Sequence, residues 1–337
     1  MKWFIAILIV ALHVGAVFLV WRHYHERTTP PASEQTPETA VPPDASAAPP
    51  PPAGTSPLDP RFDLSVYTRS APPLPKALQT KAALCRAGVV LDWTHRRILW
   101  EKNAADPVPI ASMTKMMTVL LLMEAVRDPY SGVTLTTPVR VTKGTWAISE
   151  GQVYMDPRET FTMDELLKCM LIHSANDAAY LVAETLGGGS PKRFCQRMNQ
   201  RAKEQGLSSF AFFNAHGLTE PNRPRQNSAA PFDLAFLAGH LLDYPEVVHW
   251  SSTWSSPIRE KTKKPFLLTN RNKLVKTCPG VNGMKTGFTN VAGFCVTATC
   301  TRNDRVLIVV ATGCPSSVAR DDLVTKLLDW GYSLPAN

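Results

Sequence analysis

Eleven prolines fall between Pro30 and Pro60, set among Ala, Ser, Thr and Glu with almost no large apolar side chain. Proline fixes φ and removes a backbone donor, so this stretch supports neither a helix nor a sheet ladder. It reads as a semi-extended spacer with polyproline character. The spacer divides the chain. Ahead of it, Trp3 to Trp21 contains no Asp, Glu, Lys or Arg, and only His13 interrupts the apolar run. Nineteen helical residues at about 1.5 Å each span roughly the hydrocarbon core of a bilayer, and Trp3 and Trp21 suit its two interfaces. An uncleaved anchor is favoured over a signal peptide, because the run passes straight into Trp21-Arg22-His23-Tyr24 with no small-residue cleavage site. The expected layout is an anchor or signal peptide over 1–28, a Pro-rich linker over 29–75 and a folded domain over 76–337.

Composition narrows the classes open to that domain. Hydrophobic residues make up 44% of the chain and charged ones 19%, enough apolar material for a large core. Lys and Arg exceed Asp and Glu by 36 to 28, a mild +8 with no dense basic block, which argues against nucleic-acid binding. The seven cysteines show no C-x-x-C and no His/Cys ligand spacing, so no metal site is expected; small buried hydrophobes are the favoured reading of them.

Within the domain, Val89-Val90-Leu91 and Ile98-Leu99-Trp100 look like a hairpin. Met116 to Val126 reads as a buried helix that stops near Asp128-Pro129, and Met163 to Leu186 as a helix ending at Gly187-Gly188-Gly189. Phe294 to Thr299 and Val306 to Ala311 read as strands around Arg302-Asn303-Asp304. Val318 to Trp330 reads as a closing amphipathic helix. Strands at both ends with helices between them predict one α+β domain.

There is no G-x-S-x-G, H-E-x-x-H, Walker loop or G-x-G-x-x-G. Three other elements stand in order. Ser112-Met113-Thr114-Lys115 opens the apolar helix, so that Lys115 reaches back to Ser112 across one turn. Desolvation at the head of an apolar run lowers the pKa of that lysine toward a base, and free N–H groups of a first turn favour an oxyanion at Ser112. Ser174-Ala175-Asn176 offers a hydroxyl and an amide that could bridge two lysines. Lys285-Thr286-Gly287 precedes the Phe294 strand, as an edge strand would, with a glycine that admits close backbone approach. Each tripeptide alone is weak, but the order S-x-x-K, S-x-N, K-T-G is specific.

On these motifs the sequence resembles the serine-type D-alanyl-D-alanine carboxypeptidases, the low-molecular-mass penicillin-binding proteins. The resemblance covers about Ala83 to Leu334. It includes Pro109-Ile110-Ala111, Asn214-Ala215-His216-Gly217-Leu218, Asn270-Arg271-Asn272 and Gly280-Val281-Asn282-Gly283-Met284. It implies a β-lactamase/transpeptidase-like α+β fold, with an antiparallel sheet flanked by helices and an all-helical subdomain. It implies Ser112 as nucleophile, Lys115 as general base, Ser174 as proton relay and Asn176 on the substrate amide. Lys285, Thr286 and Gly287 match the substrate-binding strand, and the Ser112 and Phe288 N–H groups match the oxyanion hole. Arg320 matches an arginine facing the substrate's terminal carboxylate. His216 lies in a loop kept near the site, whereas His173 is read as structural. Position 288 is Phe where some members carry His, which leaves the backbone N–H intact.

The implied reaction removes the terminal D-alanine from a peptidoglycan stem peptide through an acyl-enzyme and calls on no metal or organic cofactor. β-Lactams would acylate the same serine as covalent inhibitors. The rivals are a DD-endopeptidase on the same site, a β-lactamase, for which no E-x-x-L-N follows Asn176 before Lys285, and a non-catalytic wall-binding protein. Many members continue into a β-rich domain and a membrane-binding helix. This chain stops about six residues after Gly331, so the N-terminal helix is expected to take over attachment to the cytoplasmic membrane, with the domain on the periplasmic or extracellular side.

Overall fold

The computed structural model of the protein describes residues 60–219 and 225–336. The expected anchor over 1–28 and most of the linker lie outside them. Among the described residues no helix is long and apolar enough to cross a membrane.

Five antiparallel strands form the central sheet: β1 (Ala87–Asp92), β2 (Arg97–Lys102), β3 (Val281–Thr289), β4 (Gly293–Arg302) and β5 (Arg305–Cys314), in the order β2-β1-β5-β4-β3. The first hairpin and the last strands of the domain therefore meet in the middle, with Ala87 opposite Thr312 and Asp92 opposite Leu307. Side chains alternate between faces along each strand. Val90, Val296, Ala298, Leu307 and Val309 turn to one side, where they meet Leu323, Val324, Leu327 and Leu328 of the closing helix Ser317–Ser333. Val89, Leu91, Ile308 and Val310 turn to the other and join the larger core. Both faces are covered, which is why β1 is buried along its whole length.

The helix expected over 116–126 runs from Lys115 to Arg127, and its first nine residues are all buried. A helix apolar on every side belongs inside a helical lobe, and this one packs against the helices Asn176–Leu186, Pro191–Glu204 and Pro231–Leu241. Lys115, at its first position, is carried into the core with it and is fully buried.

Two expectations need correction. The helix read over 163–186 is broken. A capped segment, Met163–Lys168, widens into one π-turn over Cys169–His173, Ser174 takes φ 65°, and a new helix begins at Asn176. The apolar periodicity continues across the break because both pieces face the same core. The folded domain also begins before residue 76. Tyr67 is buried beside Phe236, ring centroids 5.6 Å apart, and Ile98 N donates to Thr68 O at 2.8 Å. All seven cysteines are buried and none forms a disulfide.

One ion pair at the ends of the interior strands β1 and β5 carries a stability prediction. Asp92 is buried and accepts from Arg305 Nε at 2.9 Å, and Arg305 also donates to Leu334 O at 2.8 Å. Asp92→Ala strands that guanidinium, and loss of one partner of a buried pair costs about 3–5 kcal/mol. Equilibrium urea unfolding is expected to show a lowered midpoint with an unchanged slope.

Candidate active site

Ser112 stands in a short 3₁₀ turn, Ala111–Thr114, not in the first turn of an α-helix as the sequence implied; the α-helix starts at Lys115. The change does not separate the pair, since i and i+3 eclipse on a 3₁₀ turn. Lys115 Nζ lies 3.0 Å from Ser112 Oγ. The same ammonium position also faces Asn176 Oδ1 at 2.5 Å and the His216 carbonyl at 2.7 Å. Burial pushes the Lys115 amine well below the ordinary lysine range, Lys285 pushes it further, and Asp177 opposes them. A neutral amine beside a hydroxyl is a base in hydrogen-bond reach of its proton.

The second motif contributes through its amide. Asn176 bridges outward, its Nδ2 donating to Glu150 O at 2.7 Å while its own N donates to Gly151 O at 2.7 Å. Its side chain thus contacts Lys115, as one half of the expected bridge, and the 150–151 loop. Ser174 lines the same cavity as Ser112, but among the described residues its hydroxyl makes no hydrogen bond to Lys115 or Lys285, and the expected bridge between the lysines is not formed here.

The third motif lies on the free edge of the sheet, as expected. β3 has only β4 as a strand neighbour, and the Ser112 turn packs against its face at Gly287, where a methyl group would fall 2.7 Å from Ile110 O and 3.1 Å from Ser112 N. Only a bare backbone passes there, which brings the residue 287–288 backbone and Ser112 N to one place. Lys285 is buried, donates to Thr286 O at 2.9 Å, and is held down at about 7 by burial and by the charges of Arg271 and Arg320. Ser112, Ser174, Thr286, Gly287, Phe288 and Arg320 all border one cavity of about 880 Å³. Arg320 donates to Asp321 Oδ1 from Nε and Nη2, at 2.9 and 2.7 Å, so its charge is already shared when it faces the cavity.

His216 matters through its main chain. Its imidazole is pushed down to about 3, by burial first and Lys115 second, and its ring nitrogen accepts from Leu218 N at 3.2 Å. His173 is pushed down to about 4, by burial first and then by Arg271 and Lys285, and lies edge-on to Phe266 on the cavity wall. Sequence reasoning gave no role to Glu150, Arg271, Lys273 or Asn227. The first three line the cavity. Asn227 is buried and ties the 213–217 loop to the Ser112 turn, with Nδ2 on Thr114 Oγ1 at 2.9 Å and on Asn214 O at 2.8 Å. The Asn214–Leu218 and Asn270–Asn272 stretches were visible as text, but nothing in their spacing marks a carbonyl acceptor or a cavity wall.

That loop yields a further prediction. Gly217 has φ +89°, and a methyl group on it would fall 2.0 Å from Ala111 O and 2.9 Å from Ser112 N. Gly217→Ala must therefore displace either the loop or the Ser112 turn. Displacement by about 1 Å is enough for a loss of roughly 10²-fold in rate, read as slower acylation by a labelled penicillin.

The model of a family described as D-alanyl-D-alanine carboxypeptidase, Peptidase S11, matches residues 74–316. The chain is 35% identical over 248 residues to D-alanyl-D-alanine carboxypeptidase DacF of Bacillus subtilis, covering 74% of this chain and 62% of that protein. It is 32% identical over 257 residues to DacC of Escherichia coli, covering 73% and 61%. It thus spans about three-fifths of the length of these two curated relatives. Among solved structures, a peptidoglycan synthesis regulatory factor (PBP3) from Streptococcus pneumoniae superposes with TM-score 0.67 at 28% identity, over 74% of this chain and 72% of that one. Penicillin-binding protein D2 from Listeria monocytogenes, in its ampicillin-bound form, gives 0.65 at 29% identity, over 74% and 97%.

Proposed function

The chain belongs to the D-alanyl-D-alanine carboxypeptidase family, peptidase S11, and from that premise we propose that it is a serine DD-carboxypeptidase acting on peptidoglycan stem peptides. The observation that carries this reading is the 3.0 Å approach to the Ser112 hydroxyl of a buried Lys115, whose pKa burial lowers, beside the edge strand β3.

The steps follow from these positions. A peptide ending in D-Ala-D-Ala lies along β3 as an added strand, its terminal carboxylate toward Lys285, Thr286 and Arg320. Ser112 Oγ attacks the carbonyl between the two alanines while Lys115 takes its proton. The tetrahedral oxyanion is met by the N–H groups of Ser112 and Phe288. The C–N bond breaks, and the leaving D-alanine amine receives a proton through Ser174. Water then cleaves the ester, with Lys115 again accepting a proton, and Ser112 is restored. β-Lactams enter as mimics of the same dipeptide and stop at the ester.

The attachment and location are part of the proposal. The apolar run over 3–21 would hold the domain at the cytoplasmic membrane with its active face on the periplasmic or extracellular side, where the wall lies.

Covalent capture of fluorescent penicillin, run beside D-alanine release from a pentapeptide, tests the reading. Stoichiometric labelling with steady D-alanine release is the expected result. Rapid nitrocefin turnover would move the assignment to a β-lactamase, and cleavage of dimeric muropeptides without D-alanine release would move it to an endopeptidase. A protein that neither labels nor releases D-alanine is no peptidase of this kind.

A further inference from the structure

The surplus of positive charge is not spread evenly along the chain. Between residues 251 and 303 stand nine lysines and arginines and a single acid, Glu260, a surplus of +8 that equals the net charge of the whole protein. Most of these cations belong to one hairpin and the segment that follows it. Ser255–Ile258 pairs antiparallel with Phe266–Thr269, Ser255 opposite Thr269 and Ile258 opposite Phe266. At its base, Trp254, Thr269 and Asn270 border the catalytic cavity, and Arg271 and Lys273 continue along the cavity wall. At about 3.3 Å per residue the turn over 259–265 stands roughly 10 Å beyond that base. None of the turn's residues borders the cavity.

The turn is held by its own bonds. Thr262 donates to Arg259 O from both N and Oγ1, each at 2.9 Å, and Lys264 N donates to Thr262 Oγ1 at 3.1 Å. The Arg259 guanidinium lies 5.1 Å from the centre of the Phe161 ring and pairs with Glu159 at 3.0 Å. Lys264 pairs with Asp156 at 3.4 Å, and Arg158 holds the same carboxylate at 2.7 Å. The acids that face the turn are therefore already engaged. Lys261 and Lys263 are exposed and, among the described residues, form no ion pair; Arg271, Lys273 and Lys276 are exposed as well.

Lysines on an open turn enclose nothing, so a small anion finds no cage there. Such a surface suits an extended polymer with many negative charges, where each contact is weak and their sum is useful. It is also continuous with the wall of the cleft that takes the substrate's terminal carboxylate. A peptidoglycan strand with one stem peptide at Ser112 carries its other stems past the mouth of the cleft, and those stems bear free carboxylates. We infer that the 259–265 turn and the 271–276 segment form a docking surface for polymeric peptidoglycan, which binds the carboxylates of stem peptides neighbouring the one being cleaved. This rests on the carboxypeptidase reading.

Cosedimentation with purified peptidoglycan sacculi tests it, with the cleft closed beforehand by benzylpenicillin so that only the outer surface binds. The wild-type protein is expected to bind, and more weakly as ionic strength rises. Lys261→Gln combined with Lys263→Gln is expected to weaken binding about fivefold, the effect of two solvent-screened charges, and Lys261→Arg combined with Lys263→Arg to retain it. Release of D-alanine from a soluble pentapeptide should be unchanged in both variants, which also reports that they are folded. Amidation of the sacculus carboxyl groups is expected to remove the binding, and hydrofluoric-acid extraction of phosphodiester-linked polymers to leave it intact. Undiminished binding by the glutamine variant, or to amidated sacculi, would overturn the inference. So would binding lost on extraction, which would assign the surface to a phosphate polymer. In each case D-alanine release by the wild type leaves the carboxypeptidase reading standing, whereas its absence would overturn both.

Discussion

Ser112→Ala is expected to lower D-alanine release by roughly 10⁴-fold or more and to abolish covalent penicillin capture, with little change in the unfolding midpoint. The size follows from losing the hydroxyl proposed to carry the acyl group, since removal of a nucleophile leaves only what binding and the oxyanion hole provide. The stability forecast follows from contacts. Ser112 Oγ accepts from Lys115 at 3.0 Å and lies 3.4 Å from His216 O. Without it Lys115 still has Asn176 Oδ1 and His216 O as acceptors, so no buried amine is orphaned. Retained labelling in a folded Ser112→Ala protein would show that another residue carries the ester.

Lys115→Met is the second large effect, about 10³-fold in kcat/KM, in the range for removing a positioned general base. Methionine fills similar space without a charge, but it leaves Asn176 Oδ1 and His216 O without their donor, at about 1–3 kcal/mol for an unsatisfied buried acceptor. The desolvation relieved by removing the amine offsets this. The pH behaviour separates the two lysines. Both have folded pKa values below the usual lysine value, so the unfolded chain binds more protons than the folded one above the folded values. Stability therefore rises with pH from about 7, where Lys285 begins to lose its proton, toward the unfolded value near 10.4. Each such group contributes up to about 1.4 kcal/mol per pH unit, and Lys115→Met is expected to flatten that slope. For activity, Lys115 must be neutral and Lys285 charged, so kcat/KM should fall as pH rises past about 7. Lys285→Arg, which keeps its charge, should move that alkaline limb upward. An unchanged limb would free Lys285 from any part in binding the substrate's carboxylate.

Much of this site was legible because its three motifs depend on local geometry. Serine and lysine three residues apart stay together whether the turn is α or 3₁₀, and Lys285-Thr286-Gly287 stands on an edge strand as the strand-like text after it implied. The break at Ser174 was not legible, because hydrophobic periodicity records which side faces the core and is silent on whether the backbone is continuous. Tyr67 was masked by the prolines before it, although an aromatic ring against Trp93 and Phe236 needs no regular element to be held. Glu150, Arg271 and Asn227 meet the site only through long-range folding. Their neighbours in sequence are ordinary loop residues, and the acceptor at His216 is a backbone carbonyl, which every residue possesses.

The antiparallel pairing of β1 with β5 has a consequence for how this domain is made. Its first and last strands are partners, more than two hundred residues apart in the chain. While synthesis proceeds, β1 has only β2 to pair with, and a two-stranded hairpin alone is marginal in water. The domain cannot commit to its structure until residue 314 or so has emerged, and closing so long a loop is slow. Completion of the sheet is thus expected to be a late step in folding. The domain then gains its shape in one late cooperative event.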